Sequence, residues 1–234
     1  MSPFTDSQVH ALHGLIGLWP DTPFSLVGAA ALTYHLPGFH RQTYDLDIAV
    51  AISLDELPVS IRKLAGWNQN PRREQEWRSP EGVIVDIIPV GPDLLEAGYV
   101  VWPQSGHRMS LLGFRHVFER IHSVPLGPES QVNIATVPTI ALLKIIATDL
   151  NYEETCSFIL GRELAEMVNE PERLAIESFI STARDESDGG RTQALMLQSG
   201  PPSWRSNPGE LLLKLEALER GLKRRYGASN SPRS

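Results

Sequence analysis

Hydrophobic and polar positions along the chain fall into short patterned blocks separated by breaks rich in proline and glycine. Between residues 5 and 18, Val9, Leu12 and Ile16 recur at helical spacing with Leu15 beside them, and the run stops at Trp19-Pro20-Asp21-Thr22-Pro23. Residues 24–28 form an apolar run ending in glycine, which predicts a buried strand and a turn. Residues 29–36 read as a helix ended by Pro37-Gly38-Phe39. Residues 44–52 alternate polar and apolar and then become apolar, the pattern of a strand with one wet end. A helix is expected over 54–65 with Ser53 as its N-cap. The strongest strand is expected over 82–90, with Pro89 marking its end. Residues 111–121 and 131–136 are compatible with strands or strand–helix pieces.

The pattern changes after Val137. Residues 139–147, 157–168 and 171–183 are helix-like, with Pro138 and Pro171 where helix starts tolerate proline. Residues 184–209 read as a loop or linker, residues 209–227 as a final amphipathic helix, and the last residues as a disordered tail. The expected fold class is α+β: a mixed β-sheet flanked by helices over residues 1–136, followed by a helical region over 137–234.

Composition narrows the setting. A chain of 234 residues that is 41% hydrophobic and 21% charged has the make-up of a globular protein with its own core. No run approaches the roughly 18 apolar residues of a membrane span, and the N-terminus lacks the pattern of a signal peptide. The single cysteine, Cys156, excludes an internal disulfide and is expected to pack in a core. A cytoplasmic protein with no membrane partner is the expectation. The net charge of −7 means that a polyanion would have to be held by local positive charge. Arginines cluster at Arg72, Arg73 and Arg78, and cations again at Lys223, Arg224 and Arg225, where a solvated surface is the plain reading. Trp67 and Trp77 bracket Pro71-Arg72-Arg73, where covering a sheet edge fits better than stacking on a base.

Three aspartates carry the chemistry. Asp45 and Asp47 are two apart in a predicted strand, so their carboxylates project from one face while Leu46 and Ile48 face the core. Side by side they repel unless a cation lies between them, and hard cations choose such oxygen ligands. Asp86 interrupts the apolar strand Val83-Ile84-Val85-Asp86-Ile87-Ile88, where an ionised carboxylate needs a partner. A shared metal is one such partner and an arginine is another. Upstream, Gly28 ends a strand and opens a helix, so its neighbourhood, with the Ala29 N–H, could receive a phosphate at the positive end of the helix dipole. Arg41 and Thr43 offer a guanidinium and a hydroxyl to the same phosphates. The sequence has no Gly-x-Ser-x-Gly, no Walker-type loop and no Cys-x-x-Cys, and the histidines lack metal-ligand spacing.

This order of glycine turn, Asp-x-Asp strand and a third acidic strand resembles the DNA polymerase β-type nucleotidyltransferase superfamily. Within it, the chain is most similar to the AbiEii-type nucleotidyltransferases, the toxin half of type IV toxin–antitoxin systems. The likeness rests on Val27-Gly28-Ala29-Ala30-Ala31-Leu32, on Arg41-Gln42-Thr43-Tyr44-Asp45-Leu46-Asp47, and on Val137-Pro138 with the helix that carries Lys144. It covers roughly residues 24–147. The resemblance implies metal binding, as Mg²⁺ or Mn²⁺, by Asp45 and Asp47, with Asp86 as third carboxylate helping to deprotonate an acceptor hydroxyl. It implies triphosphate held around Gly28 and nucleotide contacted by Lys144. The reaction implied is transfer of an NMP group from an NTP to an RNA or protein acceptor, and a cognate antitoxin is the implied partner. The chain departs from the pattern at Ala29, where relatives have Gly or Ser, and at Ala30, where they often have Thr. After Lys144 the relatives' KD-x-x-D helix has no counterpart in residues 145–154. Two alternatives therefore stay open beside an active enzyme: a degenerate member that binds a nucleotide or protein partner without catalysis, and an α/β domain whose aspartates are only structural.

Overall fold

Residues 4–35, 44–128, 130–147, 161–184 and 208–227 are described by a computed structural model of the chain. By its internal contacts the chain divides into two units, residues 1–136 and 137–234.

The first unit is built on a seven-stranded mixed sheet. It opens with helix α1 (Asp6–Leu18), whose first turn is closed by a capping box: the Gln8 N–H donates to Thr5 Oγ1 at 3.2 Å and the Thr5 N–H donates to Gln8 Oε1 at 2.9 Å. Strand β1 (Phe24–Val27) is buried at every position and runs directly into α2 (Gly28–His35). Strand β2 (Asp45–Val50) follows, then α3 (Glu56–Ile61), and the hairpin β3 (Asn68–Asn70) and β4 (Arg73–Arg78) leads to β5 (Ile84–Pro89). Beyond α4 (Pro92–Ala97), a separate small hairpin, β6 (Tyr99–Val101) and β7 (Arg108–Ser110), precedes α5 (Arg115–Glu119). Strands β8 (Ile121–Pro125) and β9 (Gln131–Ala135) complete the unit. The strand order is β3-β4-β5-β2-β1-β9-β8. Strands β2·β5 and β1·β9 are parallel, and the other neighbours are antiparallel.

Burial follows the alternation read from the sequence. Leu46, Ile48, Val85 and Ile87 are fully buried, and the residues between them at 45, 47 and 86 retain solvent access. The helix expected over 54–65 is shorter than its pattern. It spans Glu56–Ile61 with Asp55, and not Ser53, in the N-cap position, and tight turns ending at Leu64 continue it. Trp77 does not cover an edge: it lies in β4 opposite Val85 and is 2% exposed, which removes it from any base-stacking role.

Strand β4 also carries a buried charge. The Glu74 carboxylate accepts from the N–H groups of Gln104 at 3.0 Å and Ser105 at 2.8 Å and from the Ser105 hydroxyl at 3.0 Å. Burial pushes this carboxyl up, but those three donors outweigh it and leave it below the usual glutamate range. Its stabilising effect is therefore present above the ordinary glutamate value and is lost as pH falls through the folded-state value. Glu74→Gln is expected to cost about 1–3 kcal/mol at neutral pH. Urea denaturation between pH 7 and pH 3 checks this: the difference from wild type should shrink as the pH falls, and a constant difference would contradict it.

The second unit, among its described residues, is helical: α6 (Val137–Ile146), α7 (Gly161–Met167), α8 (Glu170–Arg184) and α9 (Pro208–Gly227). Pro138 and Pro171 each occupy the second position of a helix, where a missing N–H costs nothing. Leu142, Ile145, Leu164, Val168, Ile176 and Leu218 share one apolar cluster. The end of α9 is tied to α7 and the residue after it by Arg225 Nη1 donating to the Ala165 carbonyl at 2.8 Å and by Tyr226 donating to the Val168 carbonyl. Cys156 and most of the expected linker at 184–209 lie outside the described residues. Among the described residues, no helix is long and apolar enough to cross a membrane.

Candidate active site

The central strand β2 is flanked by β1 on one side and β5 on the other, and this order assembles the site. In the parallel β2·β5 ladder Asp47 pairs with Asp86, and Asp45 pairs with Ile84. Laterally paired residues project from the same face of a sheet, so Asp45, Asp47 and Asp86 share one face. On the other flank Val27 pairs with Asp47, which brings the start of α2 beside the same carboxylate.

Gly28 meets Asp47 at close range. Its φ is +65°, a left-handed conformation that side chains disfavour. A Cβ there would overlap the Asp47 carboxylate, lying 2.8 Å from its Cγ and 3.0 Å from its Cβ. The glycine thus turns the chain from strand to helix and makes room for Asp47. Ala29 follows as a buried residue of α2, and its carbonyl accepts from the Thr33 hydroxyl at 2.9 Å.

Two further side chains reach this face. Glu76 of β4 pairs with Asp86 in the antiparallel β4·β5 ladder, which extends the acidic row to a third strand. Arg73 bridges the row, with Nη1 3.1 Å from Glu76 Oε2 and Nη2 3.4 Å from Asp86 Oδ2. Asn70 Nδ2 donates to Glu76 Oε1 at 2.7 Å. The sequence marks Arg73 as part of an arginine cluster and allows an arginine as the partner of Asp86, but its pattern does not place Glu76 or Arg73 on a strand beside Asp86. Arg73-Glu74-Gln75-Glu76-Trp77-Arg78 holds a single apolar residue, so no period of two marks it as a strand. The isolated Trp between polar neighbours was the one available sign.

Burial is the main influence on Asp86 and pushes its carboxyl above the usual aspartate range. Arg73 pulls it back, while Glu76 and Asp45 push it up further. Its Oδ1 atom is buried and accepts no hydrogen bond. Among the described residues, no three His, Cys, Asp or Glu side chains are already gathered closely enough to enclose a metal ion. The donors do fit a hard divalent cation in kind: carboxylate oxygens on one face, one of them an orphaned buried oxygen.

The structure brings Asp45, Asp47, Asp86 and Gly28 together within the first unit, with Ala29 next in the chain. Arg41 and Thr43 lie outside the described residues. Lys144 lies in the last turn of α6, in the second unit.

The mixed sheet with flanking helices is the architecture that the nucleotidyltransferase resemblance implies. No protein-family model matches the chain. No curated protein matches it either. Among solved structures the chain is similar to JHP933 from Helicobacter pylori, at 14% identity and a TM-score of 0.44, over 97% of this chain and 98% of that one. It is similar to an antigenic nucleotidyltransferase-like protein from Paracoccidioides brasiliensis, at 13% identity and a TM-score of 0.43, over 92% and 95% of the two chains. A third similar structure is the antibiotic-resistance factor ANT(2'')-Ia, at 15% identity and a TM-score of 0.42, over 97% and 96%.

Proposed function

We propose that this chain is a nucleotidyltransferase that moves an NMP group from an NTP to an acceptor hydroxyl. The observation that carries the reading is the register pairing Asp47 with Asp86, with Asp45 two residues along and Gly28 pressed against Asp47. In this reading Asp45 and Asp47, joined by Asp86, hold Mg²⁺ or Mn²⁺. When bound, such a cation supplies charge neutralisation for the triphosphate and the departing pyrophosphate.

The chain's own residues do the rest. Backbone N–H groups at Gly28 and Ala29, at the positive end of α2, receive phosphate oxygens. The resemblance assigns a nucleotide-contacting role to Lys144, and the sequence offers the Arg41 guanidinium and the Thr43 hydroxyl for the phosphates. Asp86, level with Asp47 on the neighbouring strand, takes the acceptor's hydroxyl proton. The acceptor oxygen forms a bond to the α-phosphorus, the bond between that phosphorus and the bridging oxygen breaks, and pyrophosphate leaves. The AbiEii likeness gives the finer reading: a toxin whose acceptor is an RNA or protein hydroxyl and which a cognate antitoxin restrains.

The test incubates the protein with each labelled NTP, Mg²⁺ and cell extract or total RNA, beside an Asp45→Ala/Asp47→Ala double variant. Label transfer by the wild type alone is expected. Transfer by both proteins, or by neither, would sink the catalytic reading. A second reading, a fold that binds nucleotide without catalysis, is favoured by the ion pair that already engages Asp86. It predicts NTP binding with no transfer.

A further inference from the structure

Arg73 engages one of the three carboxylates proposed to hold the cation, together with a neighbouring one. Its guanidinium spans Glu76 and Asp86, the two paired carboxylates of β4 and β5, at 3.1 and 3.4 Å. The grip on Asp86 is long for a charge-assisted bond and reaches only Oδ2, leaving the buried Oδ1 without a hydrogen bond. The Arg73 side chain is 57% exposed, so it can swing into water with little loss of packing. Glu76 is fixed from its other side by Asn70, which keeps the carboxylate in place when the arginine leaves. These features describe a counter-charge that is held loosely and can be exchanged.

We infer that Arg73 is an internal stand-in for the cation, a positioning residue that shares its one positive charge between Asp86 and Glu76 in the metal-free protein and competes with a divalent cation for them. This rests on the reading of Asp45, Asp47 and Asp86 as a cation site. The exchange involves no bond making: the guanidinium releases two carboxylates, and the cation takes up at least one. Free Arg73 then stands at the rim of the site as a cation available to the substrate's phosphates. The device keeps the acidic row tolerable without metal and raises the cation concentration needed for loading.

The experiment titrates Mn²⁺ alone, without nucleotide, into the full chain and reads bound ion by electron paramagnetic resonance. The proteins are wild type, Arg73→Gln, Arg73→Lys and the Asp45→Asn/Asp47→Asn variant with and without Arg73→Gln, with circular dichroism reporting the fold. Arg73→Gln is expected to bind Mn²⁺ about three- to five-fold more tightly than wild type, the scale of an exposed ion pair. Arg73→Lys keeps the charge and should stay within two-fold or so of wild type. The Asp45/Asp47 change should abolish binding in both backgrounds. If Arg73→Gln binds no tighter while the Asp45/Asp47 change still abolishes binding, the competition is overturned and the cation site stands. If neither wild type nor Arg73→Gln shows binding that depends on Asp45 and Asp47, the cation site itself is overturned and the competition with it. Should Arg73→Gln unfold, Arg73→Met keeps the aliphatic stem and carries the same expectation.

Discussion

Gly28→Ala is expected to destabilise the protein by about 2–5 kcal/mol and to abolish nucleotidyl transfer. Two effects add. A β-carbon at φ +65° costs about 1–2 kcal/mol in the left-handed region. The same atom would collide with the Asp47 carboxylate, and relief of such overpacking typically costs a further 1–3 kcal/mol or so. Asp47 cannot withdraw easily, because it sits on β2 between two ladders, paired with Val27 on one side and Asp86 on the other. Relief therefore moves the carboxylate proposed to hold the cation, or the start of the helix proposed to receive phosphate. Urea denaturation reads the first effect and labelled-NTP transfer the second. A variant within about half a kcal/mol of wild type would show that the close approach is not enforced, since ordinary surface changes fall within that range. Gly28→Ser should fail equally, since a hydroxyl adds bulk at the same place.

The second large effect is expected at Asp86, and here stability and activity should part. Its carboxyl is raised above the usual range, so between the ordinary aspartate value and the raised one the folded protein holds a proton that the unfolded chain has lost. Metal-free stability accordingly declines as pH rises through that window and stays reduced above it. Asp86→Asn removes the slope, and in a chelator it should be at least as stable as wild type at neutral pH even though Arg73 loses one partner. The same change removes the proposed proton acceptor, and transfer should fall by about 10²–10⁴-fold. Thermal melts from pH 4 to pH 8 in chelator, set beside transfer rates, check both halves. An Asn variant that melts well below wild type at neutral pH would mean that the Arg73 ion pair outweighs burial. An Asn variant that transfers label normally would end Asp86's assignment as base.

Several elements were legible from residues alone. The alternation in Asp45-Leu46-Asp47-Ile48 dictates two carboxylates on one face and two aliphatic chains on the other, and Leu46 and Ile48 are fully buried. The apolar run around Asp86 and the break at Gly28 similarly announced a strand and a strand-to-helix turn, because side-chain period and glycine's backbone freedom are local properties. Strand β4 was not legible, since its wet face carries Glu76 and Arg78 and its core contribution is reduced to Trp77. The β6–β7 hairpin leaves no mark in the sequence pattern, because three-residue strands are too short to show a period.

Local sequence thus fixed which side chains are acidic, which strands carry them and toward which face each strand turns its polar side. It could not fix which strands become neighbours, because lateral pairing is set by the whole sheet and links residues far apart in the chain. That β5 lies beside β2 in parallel, with Asp86 level with Asp47, was decided by the tertiary structure. The same is true of β4 beside β5, which delivers Glu76 and Arg73 to Asp86. An apolar strand holding one carboxylate needs a partner from elsewhere, and the sequence left open whether that partner was a cation or an arginine. The assembled sheet supplies the arginine at a long 3.4 Å and leaves one buried oxygen over.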